Sequence, residues 1–298
     1  MTPKPWLGAV LTLGSALLFG LSTPLAKPLL ATTSPVVVAG LLYAGAGLGL
    51  GLVDLAAGAL GWRGQRVAGR QWRWLATSIV FGGILGPLLL LTGLQRTTAS
   101  TASLLLNLEA VLTAVVAWIV FRERFTLRVV AGLAVMLAGA GVISWQGAPT
   151  VAGLMGPLAV LGACFCWGID NNLVRRIAGA DPIQISGIRG AVAGVFNLLV
   201  AFAIGAAWPG SLGAVAFAAT IGFFGYGVAL ALFVIALRHL GAARTAAFFS
   251  AGPFVGALAG VVVLGDPLTA ALVLAAALMG AGAWLTLGGH HEPEAPVT

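Results

Sequence analysis

Residues 8–27 read GAVLTLGSALLFGLSTPLAK, and residues 156–175 return much of this pattern as GPLAVLGACFCWGIDNNLVR. When the two stretches are overlaid, three glycines coincide and Phe19 falls on Trp167. Both stretches are almost wholly apolar, and each ends on a basic residue. The correspondence indicates that one structural unit occurs twice in this chain.

A second correspondence follows further along the chain at a constant offset. Here Glu123 overlays Asp266, and Met136 overlays Met279. Two correspondences in the same order indicate duplication of a whole unit rather than of one short motif. We predict an N-terminal repeat over residues 1–150 and a C-terminal repeat over residues 151–298, which together form one integral membrane unit.

The composition explains why the unit belongs in a lipid bilayer. Of 298 residues, 60% are hydrophobic and only 8% are charged, whereas soluble domains carry about 25% charged residues. The net charge of +7 would suggest nucleic acid as a partner in a soluble chain. Here the basic residues fall in short loops, where they fix membrane orientation, so we expect the bilayer and no nucleic acid as partner.

The sequence contains ten segments of the length and apolarity that a membrane-spanning helix requires. They lie at residues 6–30, 36–58, 74–94, 98–120, 127–146, 154–177, 182–206, 212–237, 241–264 and 267–287. We therefore expect an all-α polytopic membrane protein with ten transmembrane helices, five in each repeat.

An odd number of helices in each repeat places the second repeat upside down relative to the first. Inverted halves are a recurrent plan in secondary transporters, which bind their substrate near the bilayer midplane where the halves meet. We expect the two inverted halves to surround a central cavity. Channels can share such an architecture, so function depends on the site.

Counting Lys and Arg on each side of the membrane predicts the orientation. One side receives twelve of them: Lys4, Arg63, Arg66, Arg70, Arg73, Arg122, Arg124, Arg128, Arg175, Arg176, Arg238 and Arg244. The other side receives Lys27 and Arg96, and Arg189 lies inside a span. We expect both termini in the cytoplasm and the protein in the inner (plasma) membrane.

The sequence lacks the motifs of several common enzyme classes. The only lysines, Lys4 and Lys27, do not end a glycine-rich phosphate loop, so the chain does not itself hydrolyse ATP and no ATPase subunit is implied. The zinc motif His-Glu-x-x-His and the nucleophile motif Gly-x-Ser-x-Gly do not occur. We expect no enzyme activity, no cofactor and no metal.

Short motifs in both halves give the chain a resemblance to a known family. SALLFG at residues 15–20 returns as ACFCWG at 163–168, and FRERFT at 121–126 returns as LGDPLT at 264–269. With ten spans, this pattern resembles the EamA-type drug/metabolite transporters, and among them the YddG-like exporters of aromatic and other neutral amino acids. The resemblance implies a basket of helices around a central cavity, with the fifth and tenth helices outermost, and export from the cytoplasm.

Three aromatic residues with polar groups fall in the middle of predicted spans: Trp167, Tyr43 and Tyr226. The other tryptophans lie at or near span ends, where indoles anchor to lipid headgroups. A mid-span ring of this type needs a polar partner or a hydrated cavity for its polar atom. We interpret the three as lining a cavity that receives flat apolar side chains; ordinary packing between helices is the alternative.

Glu109 lies at the centre of the fourth span, with Asn107 two residues earlier. Ionisable side chains inside a membrane are energetically costly and usually mark functional sites. We expect Glu109 to meet a substrate ammonium group or to carry a coupled proton; a hydrogen bond between helices in its protonated form is the alternative. The overlay places Gly252 at the equivalent position, so the site is asymmetric.

Asp170 and Arg189 lie at similar distances from the turn between the sixth and seventh spans, and therefore at one depth. A structural ion pair is the first interpretation, because each charge neutralises the other. A gate, or a clamp for the two charges of a zwitterion, is the functional alternative. Asn171 would extend the polar lining of the substrate site.

Together these features predict a secondary transporter that exports small metabolites, most consistently aromatic or neutral amino acids, by alternating access. One alternative is a multidrug exporter of hydrophobic cations, with Glu109 as the partner of the cation. A passive channel is the other alternative, and the polar residues favour it less because they cluster near mid-depth and one end.

Overall fold

The computed structural model describes residues 5–61, 64–122, 126–145, 151–240 and 242–288. Within these ranges the chain forms α-helices with short 3₁₀ and π segments, joined by turns, and contains no β-strand. The apolar sequence favours this outcome, because a helix satisfies all its backbone hydrogen bonds internally and can therefore enter lipid.

The helices follow the predicted spans closely. In the first half they are α1 (Pro5–Ala26, extended by a 3₁₀ turn at Lys27–Ala31), α2 (Pro35–Ala59), α3 (Gln71–Gln95), α4 (Ala99–Leu105 and Leu108–Phe121) and α5 (Leu127–Ser144). In the second half they are α6 (Val151–Val174), α7 (Pro182–Ala203), α8 (Leu212–Leu240), α9 (Ala242–Phe249 and Gly252–Leu264) and α10 (Ala270–Gly288). The predicted ends agree with these bounds to within about three residues, which is within the ordinary uncertainty of helix ends.

Eight of the described helices, α1 to α8, are long and apolar enough to cross a membrane. The remaining two predicted spans contain shorter apolar helices, Gly252–Leu264 and Ala270–Thr286. The chain is therefore a polytopic membrane protein.

Local sequence explains where α7 begins. The Asp181 carboxylate accepts hydrogen bonds from the backbone N–H groups of Ile183 and Gln184, at 2.9 and 3.4 Å. Pro182, which has no N–H to satisfy, occupies the first turn. An acidic cap followed by proline is a strong helix start, so the α7 boundary was well defined in the sequence.

The predicted continuous helices 98–120 and 241–264 are each divided in the structure. α4 is interrupted at Leu106 and Asn107, and α9 at Ser250 and Ala251. In α9 the second piece begins at Gly252–Pro253, and proline both lacks an N–H and clashes with the preceding turn. The overlay that pairs Glu123 with Asp266 also pairs Asn107 with Ser250, so the two breaks occupy equivalent positions in the two repeats.

α3 and α8 each contain a π segment that the sequence analysis did not predict. The segments are Ile79–Leu85 and Phe223–Val228. The same overlay pairs Gly82 with Gly225, so these segments are also equivalent. π segments leave some backbone carbonyls available to side chains and recur at functional sites.

The helices of each half contact the other half in the same way: equivalent helices pack on equivalent neighbours. α1 packs on α8 and α9, and its counterpart α6 packs on α3 and α4. α2 packs on its own counterpart α7, and α5 packs on α10. Glycines allow this closeness: a Cβ at Gly190 would lie 2.8 Å from the Cα of Gly47. Such small-residue faces let membrane helices approach backbone to backbone.

Candidate substrate site

Five aromatic rings meet where the two halves of the chain contact each other. We call this group the aromatic cluster: Phe19 of α1, Tyr43 of α2, Trp167 of α6, Tyr226 of α8 and Phe249 of α9. Phe19 lies in the middle, with its ring centroid 5.9 Å from Trp167, 6.0 Å from Tyr226 and 5.5 Å from Phe249. The ring of Tyr226 also lies 5.3 Å from that of Tyr43. These separations fall in the range of favourable ring–ring contacts.

Trp167 differs from the other tryptophans in its surroundings. Its side chain is only 4% exposed, whereas six others are at least 45% exposed: Trp6, Trp72, Trp118, Trp145, Trp208 and Trp284. Exposed indoles on a membrane protein suit the lipid interface. The deep burial of Trp167 instead requires a partner for its N–H group inside the protein.

That partner is the backbone carbonyl of Gly82, in the π segment of α3. The Trp167 Nε1–H donates to the Gly82 oxygen at 3.1 Å, and the Tyr43 hydroxyl donates to the same oxygen at 2.7 Å. In a regular α-helix this carbonyl would accept from the Gly86 N–H, but that N–H bonds to the Phe81 carbonyl, and the residue five positions after Gly82 is Pro87, which has no N–H. Gly82 therefore holds two rings of the aromatic cluster from one backbone position.

A buried ion pair adjoins the aromatic cluster. Arg189 Nη1 lies 2.6 Å from Asp170 Oδ2, and both side chains are at most 6% exposed. The hydroxyl of Ser78 donates to the other carboxylate oxygen of Asp170. A Cβ at Gly82 would overlap both Asp170 and Arg189, so the glycine makes room for the pair. Helices α3, α6 and α7 thus meet around two opposite charges, which neutralise each other away from water.

Several buried polar atoms of α7 and α8 have no hydrogen-bond partner among the described residues. On α7 they are Ser186 Oγ, Arg189 Nε and Asn197 Nδ2, and on α8 the hydroxyl of Tyr226. The spacing of the α7 residues places them along one helix face. Most buried polar groups in proteins are hydrogen-bonded, so unpaired ones on one helix face are candidates for contact with a polar ligand.

A second cluster of polar side chains lies around Glu109, which follows the break in α4. Its Oε1 accepts a hydrogen bond from Asn171 Nδ2 at 2.7 Å, and the same amide donates to the hydroxyl of Thr113 at 3.3 Å. The Glu109 side chain is half-buried. No Lys or Arg of the described residues lies within ion-pair distance of its carboxylate. Within the described residues the Glu109 carboxylate is thus held by an amide and not by a cation.

The structure brings most of the predicted site residues together, in two groups. Trp167, Tyr43 and Tyr226 share the aromatic cluster beside Asp170 and Arg189, while Glu109 pairs with Asn171. The exception is Asn107: its amide donates to the Leu104 carbonyl at 3.1 Å and contacts the Met279 sulfur at 3.8 Å, so it faces α10.

Sequence reasoning missed Phe19, Ser78 and Gly82 as site residues. Phe19 had a signal, because it overlays Trp167. Gly82 lies four residues before Gly86, a small-residue spacing that indicates close helix packing but not a side-chain acceptor. No pattern singled out Ser78. Within the described part of the chain, His, Cys, Asp and Glu side chains form no group of three that would hold a metal ion.

Two cavities lie away from the aromatic cluster. A cavity of about 490 Å³ is lined by Arg175, Ala178, Gly179, Leu237 and Arg238. A second, of about 240 Å³, is lined by Gly47, Leu50, Gly51, Asp54, Arg66, Ile183, Gln184, Gly187, Ile188 and Ala191. Both lie near the helix ends, whereas the rings of the aromatic cluster are in contact with one another.

Fold and site together define a polytopic membrane protein made of two related halves with a buried polar and aromatic interface. The EamA-like transporter family matches residues 6–145 and again residues 154–288. These two matches cover nearly the whole chain. The protein therefore belongs to the EamA-like transporter family, and it is a membrane protein of transporter type.

Two relatives and one solved structure agree with this assignment. An "Uncharacterized transporter" of Methanothermobacter thermautotrophicus is 26% identical over 276 residues, covering 88% of this chain and 80% of the relative. The "Uncharacterized transporter YvbV" of Bacillus subtilis is 25% identical over 268 residues, covering 86% and 84%. A solved structure described as "Crystal structure of protein" superposes with a TM-score of 0.70 at 19% identity, covering 97% of this chain and 99% of its own, which shows a shared fold.

Proposed function

We propose that this protein is a secondary transporter of the inner (plasma) membrane that exports small metabolites, namely aromatic or neutral amino acids, by alternating access. The observation that carries the proposal is the aromatic cluster lying directly beside the buried Asp170–Arg189 pair. Rings suit a flat apolar side chain, and a pair of opposite charges suits a zwitterion. Membership of a transporter family supports movement of the ligand across the membrane rather than storage or chemical conversion.

The proposed architecture is ten transmembrane helices in two inverted halves, residues 1–150 and 151–298, with both termini in the cytoplasm. Equivalent breaks in α4 and α9, equivalent π segments in α3 and α8, and the reciprocal helix contacts support duplication. Five helices in each half support inversion. The concentration of Lys and Arg in alternate loops supports the orientation.

Alternating access follows from such a duplication. Two halves of similar sequence give two arrangements of similar energy, each open to one side of the membrane, and substrate can bind in both. The aromatic cluster joins residues of α1 and α2 to residues of α6, α8 and α9, so any rearrangement of the halves changes its contacts. We propose that the rings separate to form the central cavity when the transporter opens, and that the substrate ring takes their place.

Counterflow in proteoliposomes tests this function. Vesicles containing purified protein are preloaded with one unlabelled amino acid from a panel, and labelled phenylalanine is supplied outside. A carrier accumulates label only in preloaded vesicles, and the rate saturates with substrate. A passive channel equilibrates label without regard to the preload, so the same experiment separates these mechanisms.

The second candidate function is export of hydrophobic cationic drugs. The specific observation in its favour is the Glu109 carboxylate, which the described residues leave without a cationic partner. A buried or half-buried carboxylate in lipid gains most from pairing with a cation or from binding a proton. In counterflow, a lipophilic cation in place of phenylalanine would then be the accumulated substrate.

A further inference from the structure

Arg189 offers more hydrogen-bond donors than the Asp170–Arg189 pair uses. Its guanidinium contacts Asp170 through Nη1 at 2.6 Å, while its Nε–H has no hydrogen-bond partner among the described residues. The side chain is 5% exposed. Arginine carries five N–H donors in a planar fork that matches a carboxylate with two parallel hydrogen bonds. The Nε–H is thus a buried donor of this guanidinium that a substrate carboxylate can use.

We propose that Arg189 binds the carboxylate of the transported substrate, and that Asp170 occupies the guanidinium when no substrate is bound. This inference rests on the proposed function and specifies its substrate class: organic monocarboxylates with an attached ring, of which aromatic amino acids are the zwitterionic case. Asp170 is a positioning residue in this scheme, because it acts on the substrate only through Arg189.

The spacing of the aromatic cluster and the ion pair fits such a substrate. Trp167 and Asp170 lie three residues apart on α6, which corresponds to about 4.5 Å along the helix axis. Both side chains face α3, since Trp167 donates to Gly82 and Asp170 accepts from Ser78. The rise along the helix is comparable to the separation between the carboxylate and the ring of phenylalanine. A carboxylate at Arg189 thus leaves the ring at the level of Trp167.

The charges around Arg189 favour a monoanion over a dianion. Ser78 holds one oxygen of Asp170, so this carboxylate stays close to the site after the substrate has taken its place on the guanidinium, and Glu109 supplies another carboxylate from α4. A phosphate carrying two charges would face both carboxylates with a single buried arginine to balance it. A monoanion replaces the one negative charge that Asp170 places on the guanidinium in the unbound state, whereas a dianion adds a second.

Competition by three related compounds tests the inference in the counterflow assay. L-Phenylalanine has both charges, 3-phenylpropionate lacks the ammonium group, and 2-phenylethylamine lacks the carboxylate. For the wild-type protein we expect phenylalanine and phenylpropionate to compete better than phenylethylamine by about 10- to 100-fold, the usual effect of hydrogen bonds to a charged group.

Two variants separate an effect on recognition of the substrate carboxylate from an effect on folding. Asp170→Asn/Arg189→Gln removes both charges together while keeping similar shapes, and it should erase the preference for compounds with a carboxylate. Asp170→Asn alone removes the internal competitor and should tighten phenylpropionate binding several-fold, a change that a purely structural role of Arg189 would not produce. Binding is also read from ligand-induced stabilisation against heat in detergent, so a folded variant that has lost transport still reports its preference.

An unchanged preference for carboxylates in the folded double variant would overturn this inference and leave the amino-acid transporter standing. Absence of phenylalanine counterflow and of phenylalanine binding in the wild-type protein would instead overturn the proposed function itself.

Discussion

Phe19 and Trp167, which occupy equivalent positions in the two repeats, meet edge to face with their ring centroids 5.9 Å apart. Each residue is contributed by the first helix of its own half. Equivalent residues that touch each other lie at the pseudo-two-fold axis that relates the two halves. Relative motion of the halves must therefore change this contact, which places the aromatic cluster at the moving interface of the proposed transporter.

Replacing the central indole should impair transport strongly. Trp167→Ala removes the ring contact with Phe19 and the hydrogen bond to the Gly82 carbonyl, and we expect phenylalanine counterflow to fall about tenfold or more. Trp167→Phe retains a ring but loses the hydrogen bond, so it should give an intermediate rate. The rates are compared at equal amounts of folded protein, measured by size-exclusion chromatography.

Trp118→Ala is the matched control, because the Trp118 side chain is 60% exposed on α4. Its counterflow should remain close to wild type. Equal losses in Trp118→Ala and Trp167→Ala would contradict a specific role for the buried indole.

The room left by Gly82 should be essential for stability. A Cβ at this position would overlap the Asp170 and Arg189 side chains, and overpacking of this kind costs about 1–3 kcal/mol or more. We expect Gly82→Ala to lower the thermal unfolding midpoint in detergent clearly. Gly141→Ala in α5 is the control, since a Cβ there meets no atom within 4 Å. A Gly82→Ala protein as stable as Gly141→Ala would mean that α3 and its neighbours do not pack as described.

Glu109→Gln distinguishes the two candidate functions. Glutamine keeps the size of the side chain and an oxygen that accepts from Asn171, but it removes the negative charge. If the protein carries amino acids, we expect phenylalanine counterflow to persist. Loss of lipophilic-cation export in this variant, with amino-acid flux absent in the wild type, would favour the drug exporter.

The Asp170–Arg189 pair should show strong coupling in a double-mutant cycle of stability. Asp170→Asn or Arg189→Gln alone leaves one buried charge without its partner, a change that typically costs about 3–5 kcal/mol. The double variant should recover most of this loss because no isolated charge remains. Thermal midpoints of the four proteins measure the coupling; additive losses would show that the two charges do not depend on each other.

The inverted arrangement predicts opposite exposure of equivalent loops. The α2–α3 loop and the α7–α8 loop occupy the same place in their repeats, yet they should lie on opposite sides of the membrane. Cysteines introduced at Ala68 and Ala207, both exposed, can be labelled with an impermeant maleimide on intact cells. The native Cys164 and Cys166 are buried, so background labelling should be low.

We expect Ala207→Cys to react from outside and Ala68→Cys to react only after the cells are permeabilised. Reaction of both cysteines from the same side would contradict inversion, whatever the substrate of the protein.

The helices were largely predictable because their ends depend on local chemistry. The start of α7 is an example: Asp181 caps the helix and Pro182 begins it, and both signals are visible in the sequence. The apolar length that a bilayer requires then defines the rest of each span. The breaks in α4 and α9 were harder to predict, since only Pro253 gave a local signal.

The site was only partly predictable because its key contacts join distant parts of the chain. Mid-span position was enough to single out Trp167 and Tyr43, but not to show that both donate to Gly82. Pro87, five residues after Gly82, is a local signal that a carbonyl of α3 is freed, but it does not show which side chains take that carbonyl. The face of α4 that carries Asn107 was equally hidden from the sequence: its amide contacts Leu104 and Met279 rather than the aromatic cluster.

The most direct test of this account is counterflow of labelled phenylalanine by the wild-type protein in proteoliposomes. We predict accumulation that requires an internal preload of an aromatic or neutral amino acid, saturates with substrate, and is lost in Trp167→Ala. Failure of every amino acid in the panel to drive accumulation, in vesicles that hold folded protein, would contradict it.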